Sequence, residues 1–575
     1  MAIETTDQDR TPGTELLIDV NKSLDMSHVN GGSSDLVLIP QPTECGGDTL
    51  RWPKRKKYYQ LFLVALYACA FSFGENTLGA AWTTVSEDTG VTLTNMNGGS
   101  ALNYLLLGFV NIWWIPLANK IGRRFIFLTT TLICMGAGAW LGSFNGTAQW
   151  MLAMVLNGIG TSAYQAVIQL AIFDMFYVHD RGRMLSVYLF GQQLGSILGL
   201  ISGGSIADTV GWRWSQYIVT IIDATVFILL FFSFEETLFP RFLFNAQPTP
   251  AIGAINRVSE EAGDVKGDDK KDLRTVTNTS HNPGFIDDYP KRTYLQKLKP
   301  WVHYPQNRTT YWQYFRRPLF LWGFPNVVIA GFIFAFGCTA GIVSFNTISE
   351  ILTEPPYNFS TTATGLVFFA ALIGNCVGWA TGLMSDHLVI FLARRNGGVR
   401  EPEMRLYMLI PCAVYAALGY MLYGWGAQTG IHWIGLAIGI GAMISHQVGA
   451  CAIATAYAME CFPGVSSNFT PAPKLDFNSR MAKAIVHRLT EKPQISGELV
   501  VVLAMCSSMV NFAISYSVQP FIDAAGYGWP FFFYGMCVLA SMAAAVPLIF
   551  YGKKWRKAKA ARYYSFLEEV DGSTD

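Results

Sequence analysis

Residues Leu321–Phe345 read LWGFPNVVIAGFIFAFGCTAGIVSF, without one Asp, Glu, Lys, Arg or His. A helix crossing a hydrocarbon core needs about 20 mostly apolar residues, and this stretch supplies them. It does not alternate and is full of Ala, Gly and Phe. It is therefore read as a helix, which satisfies its own backbone in lipid, rather than as a barrel strand. Working outward, the same reading applies to Gln60–Ala80, Ser100–Ala118, Phe125–Ser143, Met151–Phe173, Leu185–Ala207 and Tyr217–Phe234 before it. After it come Gly365–Met384, Leu406–Trp425, Trp433–Ala458, Leu499–Pro520 and Trp529–Tyr551. Only 14% of the 575 residues are charged, against about 25% in a soluble domain, too few to cover a soluble surface of this size. The fold class that follows is an all-α membrane protein with twelve transmembrane helices in two six-helix bundles.

Lys and Arg near the span ends set the orientation. Arg51, Lys54, Arg55, Lys56 and Lys57 precede the first span. Lys120, Arg123, Arg124, Arg181, Arg183, Arg394, Arg395 and Arg400 fall on the same side, as do Lys553, Lys554, Arg556, Lys557 and Lys559. The opposite loops hold Glu87, Asp88, Asp208, Glu350, Glu354 and Asp523. Both termini are expected in the cytoplasm, with the chain a multi-pass protein of the plasma membrane. Residues 1–58 read as a cytoplasmic tail without a signal-peptide core, 59–240 as the first bundle, 241–317 as a charged cytoplasmic linker, 318–551 as the second bundle and 552–575 as a second tail. Within the linker, Tyr294–Tyr314 reads as an amphipathic helix at the membrane surface. Sequons at Asn145 and Asn358 lie in outside loops and are candidate glycosylation sites; those at Asn278, Asn307 and Asn468 lie inside.

The connection after the tenth run is long for its place. Val465-Ser466 can be encoded GTGAGT, Leu489-Thr490 CTAACN and Gln494 CAG: a splice donor, a branch point and an acceptor in order. Residues 465–494 read either as a retained intron or as a lineage-specific loop insertion.

The motifs exclude as much as they offer. A Gly-x-x-x-x-Gly-Lys-(Ser/Thr) loop is missing, which disfavours an ATP-driven pump, and neither His-Glu-x-x-His nor Gly-x-Ser-x-Gly occurs, which disfavours an enzyme. The ten cysteines fall mostly inside apolar runs and imply no disulfide or zinc framework. No cofactor, metal or nucleic acid is expected.

Six helices, a linker and six more match the layout of secondary transporters built from two parallel repeats. Asn119-Lys120-Ile121-Gly122-Arg123-Arg124 then resembles the major facilitator superfamily loop pattern Gly-x-x-x-Asp-(Arg/Lys)-x-Gly-Arg-Arg, and Gly382-Leu-Met-Ser-Asp386-His387 holds the corresponding place in the second half. Asn157-Gly-Ile-Gly-Thr-Ser-Ala-Tyr-Gln165, Asp174, Arg181-Gly182 and Gly211-Trp-Arg-Trp214 look like fungal members of the drug:proton antiporter branch, which includes the histidinol and polyamine type of transporter. Three positions depart from the pattern. Asn119 stands where the loop acid belongs, Met154 stands near the place of an Arg associated with proton coupling, and Leu200 stands where the fifth-span pattern has Pro.

Intramembrane carboxylates are costly and usually face a cavity. Glu75, with Ser72 and Asn76 on its face, is the first candidate for carrying a proton or pairing with an organic cation; Asp223 is the second, with an interhelical hydrogen-bond role as its alternative. Asn157, Thr161, Gln165 and Gln169 form a polar stripe at i+4 spacing on the fourth span, read as substrate contact or as packing glue. Ser507, Asn511, Ser515 and Gln519 repeat that spacing on the eleventh. His446 adds a group able to titrate near neutral pH. Gly195, Gly199 and Gly203 let two helices approach closely and slide. Lys120, Gly122, Arg123, Arg124, Asp174, Arg181 and Asp386 are candidates for gating at the cytoplasmic face. The resemblance implies a monomeric, proton-coupled secondary transporter of a small organic solute, exporting a drug-like compound or metabolite. Uptake of polyamines or other organic cations is the alternative, and a non-transporting nutrient sensor the alternative class.

Overall fold

The computed structural model describes residues 11–16, 47–239, 293–302, 311–396, 399–462 and 496–572. Within them, twelve helices are long and apolar enough to cross a membrane. Spans 1 to 6 are Lys54–Thr89, Leu93–Ile121, Arg123–Ser143, Thr147–Met175, Arg183–Thr209 and Trp212–Ser233. Spans 7 to 12 are Pro325–Thr353, Thr361–Arg395, Pro402–Thr429, Trp433–Cys461, Gly497–Ala525 and Gly528–Ala558. Most of the linker, residues 465–494 and the sequons at Asn278, Asn307 and Asn468 lie outside the described residues. The stretch expected as one surface helix over Tyr294–Tyr314 is instead helical at Tyr294–Lys297, and a separate amphipathic helix occupies Tyr311–Leu321.

Chemistry explains where the helices stop. Span 9 ends at Gly430 (φ 65°), whose left-handed backbone lets its N–H reach the Gly426 carbonyl, a conformation costly for residues with a Cβ. Each half has its own apolar interior, centred on Tyr67, Phe127 and Leu230 in the first and on Ile333, Tyr457 and Leu548 in the second. The periphery is also apolar: Ile373, Ile410 and Phe550 are about two-thirds or more exposed, as lipid-facing side chains must be.

The halves meet along two crossings. At the first, a Cβ on Gly108 of span 2 would lie 2.3 Å from the Ala504 carbonyl of span 11. At the second, Gly365 of span 8 sits against the Leu200 and Ile201 carbonyls of span 5. Toward the face bearing Asp88 and Asp208, Ser349 donates to the Ala80 carbonyl, and Asp208 accepts from the Thr362 N–H at 2.7 Å. The opposite face carries Arg123, Arg124, Arg400 and Arg405 and is called the Arg-rich face below.

Candidate functional site

Spans 1, 2 and 4 bring Glu75 its partners. The Tyr164 hydroxyl donates to Glu75 Oε2 at 2.8 Å, and the Asn103 amide donates to Oε1 at 3.0 Å. A carboxylate held by two neutral donors, with no ion pair among the described residues, is desolvated without being neutralised, which leaves it able to accept a proton or a cationic ligand. Around it lies a cavity of about 30 Å³, with Asn76, Ser100, Tyr104, Trp150, Asn157 and Asn346 among its walls. All of these but Asn346 come from the first half. Span 7 closes the far side with Phe345 and Asn346, and Asn346 donates to Asn97 of span 2 at 2.9 Å.

A second cavity of about 30 Å³ lies between the halves nearer the Arg-rich face. Gln169, Ser186 and Tyr188 of the first half face Ser385, Asp386, Arg405 and Thr455 of the second. The fourth-span stripe thus runs from one cavity, at Asn157, to the other, at Gln169. Between them Thr161 donates to the Asn157 carbonyl, and Gln169 donates to the Gln165 carbonyl. The eleventh-span stripe turns to the first half: Ser515 donates to the Asn97 carbonyl, while Gln519 holds Glu350.

Two candidates sit elsewhere. Asp223 is buried inside the first half beside Tyr67 and Cys134, away from both cavities, and one of its oxygens has no hydrogen-bond partner among the described residues. His446 is buried inside the second half, facing the Cys412 backbone of span 9. The glycine row packs within one half: Cβ atoms on Gly195, Gly199 and Gly203 would lie 2.1, 2.4 and 1.8 Å from the carbonyls of Cys69, Phe73 and Thr77 of span 1.

At the Arg-rich face the gating candidates divide. Arg123 pairs with Asp174 at 3.0 Å. Asp386 pairs with Arg405 at 2.7 Å, and Arg405 also reaches Glu460 at 2.8 Å. Arg181 donates to the Phe173 and Phe176 carbonyls, finishing span 4. Glu236, just past span 6, accepts the N–H groups of Arg123 and Arg124 at 2.9 and 3.1 Å, capping span 3 where the helix dipole favours negative charge. Gly122 makes this possible, with φ 118° and no Cβ to strike the Glu236 carboxylate 2.3 Å away. Burial pushes the Glu236 carboxyl above its ordinary range, against the Leu238 N–H and the Arg123 charge, which pull it down. Lys120 is a half-buried residue at the end of span 2.

Sequence reasoning passed over Asn103, Glu236, Arg405 and Glu460. A polar residue in an apolar run at Asn103 was the one local signal; the others are loop or span-end charges whose partners lie far away in sequence.

A family model described as Major Facilitator Superfamily matches residues 64–470. The chain belongs to the Major Facilitator Superfamily. It is a transporter of small solutes that works in a lipid bilayer. Its relatives include an uncharacterised MFS-type transporter of Schizosaccharomyces pombe, 25% identical over 97% of this chain and 94% of that one. Protein HOL1 of Saccharomyces cerevisiae is 24% identical over 94% and 93%. The MFS antiporter QDR3 of Candida albicans is 27% identical over 36% of this chain and 29% of its own. These fungal relatives agree with the branch to which the sequence motifs point. The proton:xylose symporter XylE, solved with 6-bromo-6-deoxy-D-glucose, shares the fold at TM-score 0.52 and 14% identity, covering 86% of this chain and 96% of that one.

Proposed function

We propose that this facilitator is a proton-coupled exporter of a drug-like or metabolite-like organic compound, working by alternating access. The observation that carries the proposal is Glu75 in its cavity, held by Tyr164 and Asn103 and facing Tyr104 and Trp150. Two cavities of about 30 Å³ are far below the roughly 300 Å³ or more of a drug-sized site, so a solute gets in only when the halves part. Glu75 loads a proton or a cationic group when its side opens, and aromatic faces beside it suit cations and amphipathic rings. The Arg-rich face is placed in the cytoplasm with both termini, the membrane is the plasma membrane, and the working unit is a monomer. Asn145 and Asn358 are exposed on the opposite face, the position an oligosaccharide requires.

The test is uptake and efflux of labelled amines and amphipathic toxins in a transporter-depleted yeast strain at two external pH values. Intact protein is expected to speed toxin loss, more at acid external pH, with Glu75→Gln cutting the rate about tenfold or more and Asp223→Asn changing it less. Net accumulation of an amine, abolished by Glu75→Gln, replaces export with uptake of polyamines or related cations. Binding without flux in either direction would replace transport with sensing.

A further inference from the structure

A short piece of the amino-terminal tail occupies a groove on the Arg-rich face of the second half. Glu15 and Leu16 pair antiparallel with Arg400 and Val399, in the connection between spans 8 and 9. Pro12 and Gly13 are buried. The Pro12 carbonyl accepts from the Arg556 guanidinium, which is itself fully buried and held by Glu403 at 2.6 and 2.9 Å. Gly13 has φ 78°, and a Cβ there would lie 2.4 Å from the Glu460 carbonyl and 2.8 Å from that of Cys461. Backbone pairing, a carbonyl anchor and a position open only to glycine make this a built site rather than a chance contact.

We propose that this groove is a peptide-binding surface whose ligand is the chain's own Thr11–Leu16, and that its occupancy biases the transporter toward the state closed at the Arg-rich face. The bias toward closure rests on the alternating-access mechanism proposed above. The docked segment ties the span 8 to 9 connection to the ends of spans 10 and 12. Those ends also hold the charges of that face: Glu460 pairs with Arg400 and Arg405, and Arg405 pairs with Asp386 in the cavity between the halves. Parting the halves exposes the Asp386 and Arg405 pair to water, since both line the cavity between the halves, and Arg405 is joined through Glu460 to the Arg400 that pairs with the segment. A ligand shifts an equilibrium by its differential affinity for the two states, so a segment that fits the closed arrangement favours closure. Residues 17–46 separate the segment from the described start of the body.

Amide hydrogen exchange of the full chain in lipid nanodiscs, compared with a chain lacking residues 1–16 and with Gly13→Val, tests the docking. Exchange at the Arg400 amide, opposite Glu15, is expected to rise roughly tenfold in both variants. A synthetic peptide of residues 9–18 added to the truncated chain is expected to restore protection, and the same peptide with Gly13→Val is not. Unchanged exchange in both variants overturns the site. Transport by both variants is expected to change about twofold or more in the same direction; exchange that rises with transport unchanged overturns the regulatory role. The exchange readout needs no substrate, so it stands or falls separately from the transport assignment.

Discussion

The two halves solve the same electrostatic problem with different residues. Arg123 opens span 3 and meets Asp174 at the end of span 4; Arg405 opens span 9 and meets Glu460 at the end of span 10. So far the repeat is faithful. In the second half Asp386, on span 8 about two and a half turns before its end at Arg395, adds a second acid to Arg405, whereas Asn119 stands at the end of span 2 and offers no charge. Glu236 from beyond span 6 fills the gap by capping span 3. The second half reverses the polarity there, with the acid Glu403 on span 9 and the base Arg556 on span 12. A cluster of helix ends needs balanced charge and capped N–H groups, and the position supplying each is free to move.

Breaking the second cluster is expected to cost most. Glu460→Gln removes the acid shared by Arg400 and Arg405 and should reduce transport about tenfold or more, because partly buried bases are left short of a partner. Asp174→Asn should cost less, since Arg123 keeps the Ala118 carbonyl and its neighbourhood keeps Glu236. Equal losses in the flux assay would show that the clusters are equivalent despite their different residues.

Next comes the displaced cap. Glu236→Gln should lower stability by about 1 kcal/mol, seen as a lower thermal midpoint in detergent. Adding Asn119→Asp should recover part of the loss by returning the acid to the end of span 2. No recovery in the double variant would mean that the two positions do not stand in for one another.

A smaller effect concerns pH. Burial raises the Glu235 carboxyl, but the Lys56 hydrogen bond and the Lys56 and Lys297 charges outweigh it and hold its pKa below the ordinary value. A depressed carboxyl contributes stability above its unfolded pKa and loses it as pH falls through the folded one. Because all three side chains are partly exposed, the contribution is about 1 kcal/mol or less. Lys56→Met should lower the thermal midpoint slightly at neutral pH and converge with the intact protein below the ordinary carboxylate range, so that its acid limb is flatter.

The smallest expected effect compares two matching connections. Phe176 and Tyr177 alone separate the helices of spans 4 and 5, while residues 462–495 separate those of spans 10 and 11. A chain lacking residues 465–494 is expected to fold and transport like the intact one, and transcripts across Cys461 to Leu499 are expected to include a form without the segment. Loss of folding on deletion, with the segment present in every transcript, would make it a genuine loop.

Much of the architecture was legible because lipid imposes a simple rule. Each crossing must be long, apolar and helical, so span number and approximate position follow from composition along the chain. Glu75 was legible for the same reason, as a carboxylate is conspicuous in an apolar run. Asp223 was equally conspicuous, yet it is enclosed beside Tyr67 and Cys134 rather than facing a cavity. Period alone places a residue on a helix face and does not say what that face meets.

Sequence by itself therefore determined twelve membrane-crossing helices and set one conspicuous carboxylate, Glu75, in the first of them. Tertiary structure alone decided that Tyr164 and Asn103 hold that carboxylate, that Glu236 caps span 3 across the bundle, and that Thr11–Leu16 lies on the far half of the molecule. The physical reason is range: hydrophobicity is summed along a local stretch of chain, whereas hydrogen bonds and ion pairs act over a few ångströms between residues that only the packed bundle brings together.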